Sequence, residues 1–157
     1  MTGRRVCIAL VATPLAALAG CGGGQRAPRL SQLPLVSGAR VVAQEMRCDR
    51  GANAFCSLEL VVVNPSYRSP DRLLKAEHDR LKAAGWTGTN GDIGDESAAE
   101  SPGHRLRVTY ATADGDLKGI DLGWVKRSRK ITLALSQALF GRSAALSLLL
   151  ERGPGSV

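Results

Sequence analysis

The sequence predicts an α+β fold in which an antiparallel sheet of about four strands, arranged as two hairpins, is covered on one face by helices. Three observations carry this prediction. Strand-like apolar runs occur in two pairs joined by turn-forming residues, a well-capped amphipathic helix separates the pairs, and two further helix-like segments follow them. The predicted order of elements is therefore ββαββαα.

The chain of 157 residues begins with a segment typical of a secretory signal. Arg4 and Arg5 precede an apolar run from Val6 to Ala19, which is shorter than the roughly 20 residues that a membrane-spanning helix needs. The run closes on Leu18-Ala19-Gly20-Cys21, with small residues at the two positions before the cysteine. These four residues resemble the lipobox of bacterial lipoproteins, including the small lipoproteins of GC-rich, actinobacterial-type bacteria.

The resemblance implies that residues 1–20 are removed and that Cys21 becomes the first residue of the mature chain. In the lipoprotein family this cysteine is linked to diacylglycerol, which holds the protein on the outer face of the cell membrane, or on the outer membrane if the host has one. The membrane would then be a partner of the chain through the acyl groups on Cys21. The alternative is an ordinary secreted protein that is cut after a small-x-small triplet and keeps Cys21 free or disulfide-bonded.

The charge of the mature chain is modestly positive. Loss of Arg4 and Arg5 lowers the formal net charge from +7 to +5, which suits a position near anionic lipid or a cell-wall polymer. Aromatic residues make up 4% of the chain, and no basic run is interleaved with them. Binding to nucleic acid is therefore not predicted.

A tether is predicted between the lipidated cysteine and the folded domain. The segment from Gly22 to Pro34 contains three consecutive glycines and two prolines among polar residues, a composition that is too polar to form a core. We therefore expect a signal peptide over residues 1–20, a lipid anchor and flexible tether over 21–34, and one globular domain over 35–157.

The first predicted hairpin contains two cysteines. Because Cys7 is lost with the signal and Cys21 is lipidated, as the resemblance implies, Cys48 and Cys56 remain as an even pair in an oxidising compartment and are predicted to form a disulfide. The register that sets these cysteines opposite each other also builds one largely apolar face. The strands are Arg40 to Cys48 and Phe55 to Asn64, and the pairs are Met46 with Leu58, Gln44 with Leu60 and Val42 with Val62.

The first helix has clear boundary signals. Ser69 is the predicted N-cap, Pro70 the first helical residue and Gly85 the stop. Trp86 follows directly and is predicted to fill the core, with a ligand-stacking role as the alternative. The polar stretch from Thr87 to Gly103 is predicted to be a solvated loop.

A second hairpin is predicted over Arg105 to Thr112 and Leu117 to Trp124. Trp86, Tyr110 and Trp124 would then border a pocket between the sheet and the helices, where a small ligand could bind. The acidic residues in and before this hairpin lack the spacing of a calcium loop, so neither a metal nor another cofactor is predicted.

A basic run follows the second hairpin. Its four cationic residues could contact lipid head groups or an acidic polymer, or they could form a solvated connection. These residues are Lys126, Arg127, Arg129 and Lys130.

Two helices are predicted after this run. The segment from Ile131 to Phe140 fits helical spacing, although Ile131, Leu133 and Leu135 also alternate like a strand. The segment from Ala144 to Arg152 is apolar on nearly all sides, which predicts a buried helix.

The sequence contains no recognisable catalytic motif. There is no G-x-S-x-G, S-x-x-K or H-E-x-x-H pattern, and neither His78 nor His104 has an evident partner, so no catalytic residue is predicted. The predicted function is a non-catalytic binding or scaffolding module that contacts an envelope protein or a cell-wall polymer. The alternatives are an envelope hydrolase whose residues meet only in the fold, and a carrier of a small apolar ligand.

Overall fold

A six-stranded antiparallel sheet organises the folded part of the chain. The structure is a computed structural model that describes residues 27–48, 55–90, 97–120 and 127–153. Its elements in chain order are β1 (Arg40–Cys48), β2 (Cys56–Val63), α1 (Pro70–Ala83), β3 (Thr87–Asn90), β4 (Ser97–Glu100), β5 (Leu106–Thr112), α2 (Ala113–Ile120), α3 (Arg129–Phe140) and β6 (Ala145–Arg152). Across the sheet the strands lie in the order β1-β2-β6-β5-β4-β3.

The predicted α+β class and antiparallel sheet are confirmed, but the finer prediction is wrong. The observed order is ββαβββααβ, and helices cover both faces of the sheet rather than one. Leu73 and Leu81 of α1 join the core on one face, whereas Ile131 and Leu135 of α3 join the core on the other. The sheet is therefore the middle of three layers.

The predicted final helix is in fact β6, a central strand. It pairs with β2 on one side and with β5 on the other, and it is buried on both faces. Leu146, Leu148 and Leu150 contribute to the core under α1, while Ala145 contributes to the core under α3. A strand covered on both faces carries a continuous apolar run without alternation, and this run resembles that of a buried helix.

The first hairpin is confirmed, together with its disulfide. Cys48 pairs with Cys56, and their sulfurs are bonded at 2.07 Å. The predicted partners of Met46 and Gln44 are also observed. The register shifts between Val41 and Ala43, so Val41 and not Val42 lies opposite Val62. This irregularity is a β-bulge, which inserts one extra residue into the outer strand.

The boundaries predicted for α1 are also observed, and α3 is confirmed as a helix. Ser69 Oγ accepts a hydrogen bond from the Arg72 backbone N–H, and Pro70 is the first helical residue. Gly85, at φ 81°, lets the chain turn directly after the helix. The predicted helix at residues 131–140 begins two residues earlier, at Arg129, because Ser128 caps it by accepting from the Ile131 N–H.

The predicted loop from Thr87 to Gly103 contains two strands instead. Thr87–Asn90 and Ser97–Glu100 form a short hairpin, and β4 pairs with β5, where Ala98 and Ala99 are buried. Residues 91–96 lie outside the described residues. The segment Ser97–Glu100 has weak strand propensity, so its conformation follows from pairing with β5, and Thr87–Asn90 in turn pairs with β4.

The second strand of the predicted second hairpin is replaced by α2. The hydroxyl of Thr112 accepts a hydrogen bond from the Gly115 N–H, and Asp114 lies in the first turn of the helix, where a carboxylate is favourable. Ala113 and Leu117 pack into the core under α3. Residues 121–126, including the rest of the predicted strand, lie outside the described residues.

The folded domain begins before the predicted boundary at residue 35. Pro28 is buried, residues Leu30–Gln32 form a short 3-10 helix, and Leu33 packs into the core under α1 at 6% exposure. Residues 27–34 are thus part of the domain and not a free tether, while residues 1–26 lie outside the described residues. Among the described residues, no helix has the length and hydropathy needed to cross a membrane.

Candidate functional site

A cleft of about 300 Å³ lies between α1 and the strands β3, β4 and β5. Trp86, at the end of the turn after α1, lies in its wall, and we call it the Trp86 cleft. The two aromatic residues predicted to share a pocket, Trp86 and Tyr110, both line it. The third predicted residue, Trp124, lies outside the described residues. The lining residues are His78, Leu81, Lys82, Trp86, Thr87, Gly88, Ala99 and Tyr110.

Tyr110 and His78 form a polar pair in the wall of the cleft. The Tyr110 ring is 1% exposed, and its hydroxyl lies 2.8 Å from Nδ1 of His78. Burial raises the pKa of Tyr110, the nearby carboxyl of Glu77 raises it further, and a hydrogen bond with Ser97 opposes both effects. Tyr110 is therefore a neutral phenol at physiological pH, and it positions the imidazole that forms part of the cleft's rim.

Glu77 lies next to His78 on α1 and is completely buried. Its Oε2 accepts a hydrogen bond from the Val36 N–H at 2.9 Å, while its Oε1 has no hydrogen-bond partner among the described residues. Burial raises the pKa of Glu77 to about 7, although the hydrogen bond from Val36 and the charge of Arg80 act in the opposite direction. The carboxyl thus joins the N-terminal segment to α1 and titrates near neutral pH.

The cleft combines an apolar floor with a polar rim. Leu81, Trp86 and Ala99 supply apolar surface, while the imidazole of His78 and the ammonium group of Lys82 supply polar groups that are exposed to solvent. Its volume is at the small end of the range of about 300 to 1,000 Å³ that is typical of ligand pockets. The arrangement fits a small group with an apolar body and an anionic or hydrogen-bonding edge.

Gly88 leaves one wall of the cleft without a side chain. A Cβ atom built on Gly88 would lie 3.8 Å from Cε1 of His78, which is an ordinary van der Waals contact. A larger side chain at this position would therefore enter the cleft without backbone strain, which makes Gly88 a useful position for blocking the site.

The basic run predicted after the second hairpin does not form one surface. Lys126 lies outside the described residues. The side chain of Arg127 is 3% exposed and forms an ion pair with Asp116 at 2.7 Å, so it is part of the interior. Arg129 and Lys130 are exposed at the start of α3, where Lys130 Nζ donates a hydrogen bond to the Gln44 carbonyl oxygen.

The two histidines both have partners that the sequence did not reveal. His78 lies against Tyr110, and His104 Nδ1 lies 2.5 Å from Oε2 of Glu100 on the surface. One signal was present in the sequence: His78 lies one turn before Lys82 on the predicted helix, a spacing that places both side chains on the same helix face. Among the described residues, no group of three or more histidine, cysteine, aspartate or glutamate side chains could hold a metal ion.

No protein-family model, no curated protein and no solved structure matches the chain. Proposals about its function therefore depend on its own residues and contacts.

Proposed function

We propose that the protein is a lipid-anchored, extracytoplasmic lipoprotein, and that its folded domain is a non-catalytic binding or scaffolding module of the cell envelope. The observation that carries this proposal is Leu18-Ala19-Gly20-Cys21, which closes an apolar run preceded by Arg4 and Arg5. Diacylglycerol on Cys21 would hold the mature chain on the outer face of a membrane without a membrane-spanning helix.

The disulfide between Cys48 and Cys56 supports this location. Structural disulfides form and persist in oxidising compartments outside the cytoplasm and are rare inside it. Export followed by lipidation also leaves Cys48 and Cys56 as the two cysteines of the mature chain that can bond to each other.

Metabolic labelling with palmitate tests the anchor. We expect Cys21→Ser to abolish labelling and to leave the precursor uncut, because the thiol that accepts the lipid is lost. Cys7→Ser is the matched control, since it removes another cysteine of the same segment, and it should be labelled and cut like the wild type. If Cys21→Ser is still labelled, or is cut and released like an ordinary secreted protein, the lipoprotein proposal is wrong.

The Trp86 cleft is the proposed contact site of the module. Its apolar floor and the exposed polar groups of His78 and Lys82 would suit a side chain of an envelope protein or a substituent of a cell-wall polymer. The ammonium group of Lys82 favours an anionic edge on that group. The proposed contact is small and therefore fits a module that recognises one group of a larger partner.

Crosslinking in intact cells with Gly88→Val tests this contact. The branched side chain suits a strand and would fill the mouth of the cleft beside His78. We expect Gly88→Val to lose the crosslinked product that the wild-type protein gives. Thr89→Val is the matched control, because Thr89 is the next residue of the same strand and does not line the cleft. If both variants lose the crosslinked product to the same extent, or if neither variant loses it, the Trp86 cleft is not the contact site.

A small-ligand carrier is the second candidate, and the meeting of Trp86 and Tyr110 in one cleft favours it. Mass spectrometry of the protein, purified from its host and then denatured, distinguishes the two functions. A small molecule that is released by the wild type and is absent from Gly88→Val supports the carrier. Crosslinking to a macromolecule with no released molecule supports the binding module.

A further inference from the structure

A second cleft, of about 420 Å³, lies at the end of the sheet where the described chain begins. Three arginines from distant parts of the sequence line it: Arg29, Arg105 and Arg152. Ala27, the first described residue, is also in its wall. We call it the arginine cleft.

Backbone contacts fix the positions of these arginines. Arg29 directly precedes the short 3-10 helix Leu30–Gln32, and its N–H donates to the side-chain oxygen of Gln32 at 2.8 Å. The carbonyl oxygen of Arg105 accepts a hydrogen bond from the Gly153 N–H at 2.9 Å, directly after Arg152. The backbone therefore brings these three residues to the same cleft, whatever conformations their side chains adopt.

Gly153 allows the close approach of the two chains that carry Arg105 and Arg152. A Cβ atom at Gly153 would lie 2.2 Å from the carbonyl oxygen of His104, a distance that real Cβ atoms do not adopt. The turn before Arg105 is equally specific, since Gly103 and His104 both have positive φ, at 75° and 54°. This unusual backbone geometry occurs where Arg105 and Arg152 meet at one cleft.

Arg29 and Arg105, which are both exposed, present positive charge to the arginine cleft. Glu100 lies near the turn, but its carboxylate contacts His104 instead. Guanidinium groups bind phosphate with paired, parallel N–H donors, which makes arginine the preferred residue for planar recognition of phosphate oxygens. The chemistry of the cleft therefore suits a phosphate group.

The short length of chain between Cys21 and the arginine cleft indicates the source of the phosphate group. Only the five residues 22–26 separate Cys21 from Ala27, and a chain of this length spans at most about 20 Å even when fully extended. This step rests on the proposed lipid anchor. If Cys21 is lipidated, Ala27 in the wall of the arginine cleft lies within this distance of the membrane surface.

We propose that the arginine cleft binds the phosphate of an anionic phospholipid head group and so orients the domain, with this end of the sheet against the membrane. The attraction of one arginine to an anionic bilayer falls off within a Debye length of about 8 Å. The short segment 22–26 lets the cleft come within that range, where the arginines that line it add to one another's attraction.

Vesicle binding by the mature chain, residues 21–157 produced without its lipid, tests this proposal. The probes are vesicles of phosphatidylcholine alone and vesicles in which a minority of the lipid is phosphatidylglycerol. We expect the wild-type chain to prefer the anionic vesicles, and Arg29→Gln/Arg105→Gln/Arg152→Gln to bind them roughly 100-fold more weakly, since each arginine near the surface contributes about fivefold.

A matched triple variant separates the cleft from general charge. Arg40, Arg68 and Arg142 are exposed near the opposite end of the sheet, and replacing all three with glutamine removes the same charge. We expect this control to bind anionic vesicles within about fivefold of the wild type. Equal weakening in both triple variants would overturn the proposal, as would a wild-type chain that does not prefer phosphatidylglycerol.

A double variant tests the cleft independently of the triple variant. Arg29→Gln/Arg105→Gln changes only the two exposed arginines and leaves the half-buried Arg152 in place, so it tests the cleft even if the triple variant does not fold. It should bind roughly 25-fold more weakly than the wild type. Because the vesicle assay uses chain without lipid, failure of palmitate labelling at Cys21 would refute the anchor while leaving the phosphate site to stand or fall on its own result.

Discussion

Replacing Glu77 with glutamine should remove much of the pH dependence of stability near neutral pH. Glu77 is completely buried, its Oε2 accepts from the Val36 N–H, and its Oε1 has no hydrogen-bond partner among the described residues. Burial raises its pKa from 4.5 to about 7 in the folded protein. Glutamine keeps an oxygen that can accept from Val36, and it is never charged.

The sign of the effect follows from the two pKa values. The folded state binds the Glu77 proton more tightly than the unfolded state, so the carboxyl contributes most to stability below pH 4.5, and this contribution is lost as the pH rises through about 7. One pKa unit corresponds to about 1.4 kcal/mol, so the loss between pH 5 and pH 8 amounts to about 2 to 3 kcal/mol.

Urea unfolding at several pH values between 5 and 8, followed by circular dichroism, measures this loss. We expect the free energy of unfolding of Glu77→Gln to match that of the wild type at pH 5 and to exceed it by about 2 to 3 kcal/mol at pH 8. Asp79→Asn is the matched control, because Asp79 is exposed on the same helix and its hydrogen bond with Lys75 lowers its pKa, which keeps it ionised throughout this range. Parallel pH profiles for the wild type and Glu77→Gln would refute the reasoning.

Three further substitutions test the fold. Leu148→Ala, in the central strand, should lower the free energy of unfolding by about 2 to 5 kcal/mol, and a loss below about 1 kcal/mol would contradict the placement of β6 in the core. Arg127→Gln should cost about 3 to 5 kcal/mol because it leaves the buried carboxylate of Asp116 without its ion-pair partner, and adding Asp116→Asn should recover part of that loss in the same unfolding assay. Cys48→Ser/Cys56→Ser should lower the free energy of unfolding by about 2 to 3 kcal/mol by the loop-entropy argument. Thiol titration of the denatured, unreduced wild-type chain should find both cysteines blocked. Two reactive thiols would show that the disulfide does not form in solution.

The parts of the fold that the sequence predicts well have local signals. The register of β1 and β2 follows from two cysteines and an apolar pattern that select the same pairing, apart from the bulge at Val42. The first helix is marked by Ser69 and Gly85, which set its two ends directly. In these segments the local pattern and the tertiary structure agree.

The parts that were predicted wrongly depend on neighbours that are distant in sequence. The leucine-rich run from Ala144 to Arg152 has the composition of a buried helix, and it becomes a strand because β2 and β5 offer it hydrogen bonds on both sides. β4 is a strand because it pairs with β5 and buries Ala98 and Ala99, although its own residues favour no strand.

The candidate sites show the same division. Trp86 and Tyr110 could be predicted as pocket residues because each is aromatic and lies on a predicted core face. His78 and Gly88 join them only through the packing of α1 against the sheet. The arginine cleft has no local signal at all, because the fold brings together residues that are more than 40 positions apart along the chain.

Mass spectrometry of the N-terminal peptide tests the central claim, which is that the chain is a lipoprotein anchored at Cys21. The protein should be purified from the membrane fraction of its host and digested. We expect the mature chain to begin at Cys21 and to carry the mass of diacylglycerol on the Cys21 sulfur. A mature chain that begins at another residue, or an unmodified Cys21 thiol, would contradict it.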